Sequence, residues 1–344
     1  MNGIGVIQAD ENASQVVSSG KVKSPWLLTL LKGVVSCGLM YWVLQGTNLK
    51  EILASIQEAN ILLVVGAFSL SFVGYFISVS RWKVLLQAQG VSATVFFLVK
   101  SFMVSIFFNN FLPSTVGGDV IRAYDSYRLG VSKAQAATVV FVDRFLGLLA
   151  LLSLALLGVL IAPQVMANSP TLDLWIFGAI FLVGLIVWTI FFSSGGHLRV
   201  IDKVLSFCPV LVQRIIQKII EGFHCFQGRR DTLGQALGLS FLLQINVVLQ
   251  YFMIAQALNF PVELGAFFLV VPVSLVMMLL PVSINGIGIR EGIFVLLFSP
   301  LGVGQAQILA LAWIAYGFLL TQGLLGGIVY ALRKNRDLVS KEFG

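Results

Sequence analysis

Apolar residues in this chain neither alternate nor recur once per helical turn; they run on for about 20 positions at a time between short polar segments. An α-helix needs a run of about that length to cross roughly 30 Å of hydrocarbon. Such segments cover 26–45, 61–80, 94–112, 136–162, 173–192, 235–258, 265–284 and 306–332, while a ninth, Gly292 to Leu301, is too short to cross. The pattern predicts an all-α polytopic membrane protein. Its first apolar run is longer than a usual signal-peptide core and has no small-x-small cleavage site after it, so it reads as a retained anchor.

Charge placement changes the count of crossings. With Lys21 and Lys23 holding the N-terminus in the cytoplasm, eight crossings would put Arg199, Lys203, Arg214, Lys218, Arg229 and Arg230 outside and the uncharged stretch 163–171 inside. That reverses the usual excess of basic residues on the cytoplasmic side. The conflict disappears if the third and seventh segments enter the membrane, break, and return to the side they came from. Arg81, Lys83, the basic loop and Arg333, Lys334 and Arg336 then share the cytoplasmic side, and Glu51 and Glu58 lie opposite. Both segments end in a proline followed by glycines, residues that break helices. The expectation is about six crossing helices plus two re-entrant broken-helix hairpins.

The two break points resemble each other. Pro113 to Arg122 reads PSTVGGDVIR and Pro281 to Arg290 reads PVSINGIGIR, a shared P-x-[ST]-x-x-G-x-x-I-R at a constant offset of 168. One break is entered from the cytoplasm and the other from outside, so the copies form an inverted repeat, a recurrent transporter design. The domain reading is a polar tail 1–24, a transmembrane domain 25–333 and a basic tail 334–344. Within the domain, halves at roughly 61–192 and 235–332 are joined by a basic cytoplasmic loop 193–234.

Composition agrees, with 58% hydrophobic and 11% charged residues, far from a soluble domain. The net charge of +7 sits between and after apolar runs, as topology signals and lipid contacts rather than a nucleic-acid surface. Cys37, Cys208 and Cys225 have no metal spacing, and the two histidines, His197 and His224, leave little for a His-based metal site. No cofactor is expected.

The break points carry the candidate chemistry. A glycine turn feeding a helix offers free N–H groups backed by the helix dipole, a ready phosphate site. Gly118 in the first copy and Asn285, Gly286 and Gly288 in the second occupy such turns. Arg122 and Arg290, about a turn further in, can each offer a bidentate fork to phosphate oxygens. Asp119 either caps its helix, taking the anion's place, or lines the cavity. The second copy has no acid there, so its helix start is the better candidate for anion capture. Asp143 and Arg144 are neighbours on a helix and point about 100° apart, so each needs a partner elsewhere, Arg122 for one and Asp119 or Asp125 for the other. Lys100 either reaches the cavity or snorkels to the cytoplasmic surface. Glu291 is a proton-coupling carboxylate or a local counter-charge. Gly323, Gly326 and Gly327 read as close helix packing.

The run NNFLPSTVGGDVIRAY, then Gly130-Val131-Ser132, Val142-Asp143-Arg144-Phe145, LPVSINGIGIREGIF, Gly302-Val303 and LLGGIVY together resemble the flippase-like family. This is the transmembrane region of lysylphosphatidylglycerol synthases, also found as stand-alone bacterial and archaeal proteins, and the resemblance spans about Leu27 to Leu332. It implies a cytoplasmic (plasma) membrane location, with both termini cytoplasmic, and translocation of a lipid with a charged or phosphate-bearing head group. It does not imply aminoacyl transfer, which in fused members belongs to a separate soluble domain. Glu-Arg followed by an acid is usual in the family's fourth segment; here Asp143 and Arg144 are followed by Gly147 near that place, so no detailed ion network carries over.

Two classes of function remain. One is flipping of an anionic phospholipid or polyprenyl-phosphate-linked lipid between leaflets, with a separate lipid-modifying enzyme as a further partner. The other is a membrane enzyme of lipid or lipid-linked sugar metabolism, such as one related to phosphatidylglycerol lysyltransferase, or a scaffold for it. The enzyme reading lacks a metal cluster, a nucleophile with a base at recognisable spacing, or a nucleotide-binding loop.

Overall fold

The computed structural model describes residues 25–45, 47–111, 117–165, 226, 229–279, 283 and 285–342. The expected segment 173–192, most of the basic loop 193–234, the tail 1–24 and the two proline turns lie outside them. Among the described residues the regular elements are helices. They are α1 (Pro25–Leu44), α2 (Leu49–Gln57), α3 (Ile61–Gln87), α4 (Val95–Phe111), α5 (Gly117–Arg128), α6 (Lys133–Ile161), α7 (Arg230–Ala257), α8 (Leu264–Met278), α9 (Ile289–Phe298) and α10 (Gln305–Glu342).

Local sequence sets several of these boundaries. The Asn60 side chain accepts hydrogen bonds from the N–H groups of Leu62 and Leu63 and starts α3. Ser132 and Gln135 exchange side-chain and backbone hydrogen bonds in a capping box that starts α6. Among the described residues four helices are long and apolar enough to cross a membrane, Ile61–Gln87, Lys133–Ile161, Asp231–Ala257 and Gln305–Arg333. The shorter α4 and α8 are the third and seventh apolar segments, and each stops where the sequence predicted a break. Leu62, Phe76, Phe96, Leu160 and Leu332 are exposed on the outer surface, as lipid-facing residues are.

The chain repeats one unit, a long helix, a two-armed hairpin and a second long helix. The first unit is α3, α4/α5 and α6; the second is α7, α8/α9 and α10. Their contacts are reciprocal, because α3 packs on its counterpart α7, α4 packs on α10, and α8 packs on α6. The central pair is antiparallel. The Asn60 N–H reaches the Ala257 carbonyl, Gly66 abuts Met253, and the Asn246 amide reaches the Leu70 carbonyl. Equivalent helices in antiparallel contact are related by a two-fold axis perpendicular to both, so the repeat is inverted.

Following the chain through these contacts gives two ends. One gathers the end of α3, the starts of α4, α6 and α7, and Arg333 of α10, through contacts such as Arg229 Nη1 to the Gln87 carbonyl and Arg333 to Asp125. It carries Lys83, Arg128, Lys133, Arg229 and Arg333 and is the basic end. The other gathers the starts of α3, α8 and α10 and carries exposed Glu51, Glu58 and Glu263. The hairpin α4/α5 enters and leaves at the basic end, and α8/α9 enters and leaves at the opposite one. Each end has its own apolar cluster, around Trp82, Leu98, Leu146 and Phe226 at the first and around Ile254, Phe267, Phe294 and Phe298 at the second.

Close helix approach depends on glycine. Gly323, Gly326 and Gly327 of α10 lie against Asn110, Met103 and Phe107 of α4, the packing role expected from sequence.

Candidate functional site

The hairpin tips meet at mid-depth. Asn285 Nδ2 donates to the Asn110 carbonyl at 3.1 Å, and Asn110 Nδ2 donates to the Leu319 carbonyl at 2.7 Å. Leu319 is the central residue of the span Gln305–Arg333. Asn285 and Gly286 take left-handed backbone angles, φ 53° and 74°, which turn the second tip. Gly288, at φ 84°, needs glycine twice over: an added Cβ would lie 2.5 Å from Leu39 Cβ on α1.

The helix starts behind the tips are occupied by the chain itself. The Gly118 N–H donates to Asn109 Oδ1 at 2.8 Å, and the Gly288 N–H donates to Glu291 Oε2 at 2.7 Å. Asp119 therefore does not cap α5; it forms an ion pair with Arg144, as one of the sequence alternatives had it. Glu291, the third residue of α9, thus reaches back to the N-cap backbone, the one half of a capping box that a glycine N-cap allows. The amide groups expected to cradle an anion are thus partly spent on Asn109 and Glu291.

Behind the first tip lies a buried ion cluster. Asp143 of α6 takes Arg81 Nε on Oδ1 at 2.5 Å and Arg122 Nη1 on Oδ2 at 2.9 Å. Arg81 Nη1 also donates to Ser240 Oγ of α7 at 2.9 Å, which ties α3, α5, α6 and α7 together. Arg122 stacks near the Trp82 and Phe102 rings, with centroids 4.8 and 5.7 Å away. Its Nε and Nη2 are buried and have no hydrogen-bond partner among the described residues. Those two atoms form one edge of the guanidinium, the fork that grips an oxyanion bidentately.

A second pairing closes the basic end. Arg333 of α10 grips Asp125 of α5 with both nitrogens, Nη2 to Oδ1 at 2.6 Å and Nη1 to Oδ2 at 2.8 Å. Ser101 Oγ of α4 also donates to that carboxylate. Lys100 lies over the exposed Phe96 ring at 4.0 Å, pointing back toward the basic end, which favours snorkelling.

Arg290, the counterpart of Arg122, is 5% exposed and has a different setting. Its backbone N–H bonds the Gly286 carbonyl, but its guanidinium makes no hydrogen bond or ion pair with any described residue. It lies over the Tyr316 ring at 5.9 Å. Tyr316 is one turn of α10 from Leu319, so this arginine sits beside the first tip. No acid is supplied at the place of Asp143: the position 168 residues further on, the offset of the shared motif, is Leu311, and the one 172 further on, the offset between Gly130-Val131 and Gly302-Val303, is Ala315. Ser283 is buried with its hydroxyl also unpartnered among the described residues.

The structure thus brings Arg122 together with Asp143, Asp119 with Arg144, and Asn285 with the opposite tip. Sequence reasoning treated Arg81 and Arg333 only as topology signals and missed Asn109, Trp82 and Ser240. An arginine followed by tryptophan six residues inside the end of α3 was the available signal for Arg81. The signal for Asn109 was an Asn-Asn pair directly before a helix break.

A family profile described as lysylphosphatidylglycerol synthase TM region matches residues 29–326. A UPF0104 membrane protein of Methanocaldococcus jannaschii is 24% identical over 300 residues, which cover 82% of this chain and 87% of that protein. Another, from Methanothermobacter thermautotrophicus, is 22% identical over 306 residues, covering 83% and 88%. The match takes in both hairpins, the Arg122–Asp143 cluster and Arg290, and so the chain belongs to the family of lysylphosphatidylglycerol synthase transmembrane regions.

Proposed function

We propose that the protein moves a lipid with an anionic, phosphate-bearing head group between membrane leaflets, with the basic end and both termini in the cytoplasm. A phospholipid or a polyprenyl-phosphate-linked lipid fits this chemistry, with its chains in the bilayer and its head group passing the hairpin tips. The carrying observation is a pair of equivalent buried arginines, Arg122 and Arg290, on hairpins that enter from opposite ends. Each retains guanidinium N–H groups that no described residue satisfies, Nε and Nη2 of Arg122 and Nε of Arg290. A charged residue at such depth is costly and is normally paired or functional. The excess of exposed acids at one end and bases at the other supports the orientation.

The two arginines occupy separate levels. Asp143, which binds Arg122, is 10 residues into α6, and Tyr316, which faces Arg290, is 11 residues into α10 from the other end. At 1.5 Å per residue in helices of 29 apolar-span residues, the two stations are roughly 10 Å apart along the helix direction. A head group handed from one to the other traverses the middle of the bilayer without losing contact with a cation.

Replacing Arg290 with Gln is expected to abolish leaflet transfer of fluorescent anionic phospholipid in proteoliposomes while the protein remains inserted and folded. Full transfer by that variant would remove the basis of the proposal.

A further inference from the structure

Resting on that translocation reading, the balance of buried charge narrows the cargo further. Six charged residues are buried among the described positions: Arg81, Arg122, Asp125, Asp143, Arg290 and Glu291. Asp125 is satisfied by Arg333 from the basic end and so belongs to a neutral pair. The Asp119–Arg144 pair also cancels. What remains among the described buried residues is three arginines against two carboxylates.

The two carboxylates are committed. Both oxygens of Asp143 are taken by arginines, and Glu291 holds the Gly288 N–H. The surplus positive charge is therefore carried by guanidinium groups with N–H groups unpartnered among the described residues, Nε and Nη2 of Arg122 and Nε of Arg290. Within a low-dielectric interior, an uncompensated charge is strongly unfavourable, and a bound ion of opposite sign relieves it.

We infer that the head group this site accepts carries one net negative charge, as a phosphodiester does, and that phosphomonoester, diphosphate and aminoacylated head groups are disfavoured. A monoanion brings this set of described buried charges to neutrality. A dianion overshoots to net negative, and a lysyl ester, with a net positive charge, deepens the surplus. A glycerophospholipid diester and a sugar-linked polyprenyl phosphodiester share this chemistry.

The test is leaflet transfer in proteoliposomes, read by quenching of outer-leaflet fluorescence. The labelled probes are phosphatidylglycerol, its lysyl ester, phosphatidic acid, polyprenyl phosphoglucose and polyprenyl diphosphate. At least one of the two diesters is expected to move faster than the lysyl ester, phosphatidic acid and the diphosphate by about tenfold or more, which corresponds to about 1.4 kcal/mol in barrier. Which diester moves identifies the source of the head group. Transfer of the lysyl ester or of a dianionic probe at an equal or greater rate overturns the inference and leaves the translocation reading intact. Absence of any transfer above protein-free vesicles overturns both. Tyr316→Glu places a carboxylate beside Arg290 and removes the surplus, so its preference is expected to move from the diesters to zwitterionic phosphatidylethanolamine. An unchanged order in a folded Tyr316→Glu protein also counts against the inference.

Discussion

Substituting Asp143 by Asn separates a structural ion cluster from a surface one. Asp143 is 1% exposed and is shared by Arg81 and Arg122, so its loss leaves two buried guanidinium groups without their counter-charge. Removing one partner of a buried ion pair costs about 3–5 kcal/mol, and here a single change strips both cations. Asp119→Asn makes a useful contrast, because its partner Arg144 has a side chain 41% exposed. Water compensates such a pair, and the cost is about 0–1 kcal/mol. Equilibrium unfolding in mixed detergent and sodium dodecyl sulfate micelles should therefore rank Asp143→Asn far below Asp119→Asn. Adding Arg81→Gln to Asp143→Asn should cost less than the sum of the two single changes, since they share one contact. Equal effects for the two aspartates, or strict additivity in the double variant, would refute the view of Asp143 as the centre of a buried cluster.

Other expectations follow from the packing and the tips. Gly288→Ala should destabilise the protein by about 1–3 kcal/mol, because φ 84° and the Leu39 contact both oppose a Cβ. Gly38→Ala in α1, with open space around it, should be neutral or stabilising by up to about 1 kcal/mol in the same unfolding assay. Cysteines replacing Asn110 and Asn285, in a chain whose three native cysteines are serine, should cross-link under mild oxidation and arrest lipid transfer. Arg333→Ala should raise thiol labelling of a Ser101→Cys reporter from the basic side, because the bidentate hold on Asp125 is lost; labelling unchanged from the parent would count against that closure.

Much of the fold was legible because a membrane leaves the chain few choices. Every backbone group must be satisfied within hydrocarbon, so long apolar runs become helices. Proline and glycine then had to mark where α4 and α8 stop, as they do. The inversion of the repeat was legible through charge, since only opposed entry places the basic segments together. The antiparallel contact of α3 with α7 gives the same result by an independent route, through Asn60–Ala257 and Leu70–Asn246.

The site was legible in kind and less so in its partners. Arg122 and Arg290 stand out as the shared end of the two break motifs and Asp143 as a charge in an apolar run, and a charge in that setting draws notice. Sequence spacing cannot say which distant acid answers a given base. Arg81 and Asp143 are 62 residues apart and meet because α3 and α6 lie side by side at the basic end. Asn109 takes the Gly118 N–H from nine residues away, across a turn whose closure decides the contact. The two copies share a motif but not an electrostatic setting: Arg122 meets Asp143, whereas Leu311 and Ala315 stand at the corresponding places and no described acid pairs with Arg290. A repeat that keeps the helix order and the motif in both halves, with a counter-ion among the described residues in only one, has kept its scaffold and altered its charge, and the altered half is where a ligand's charge has room.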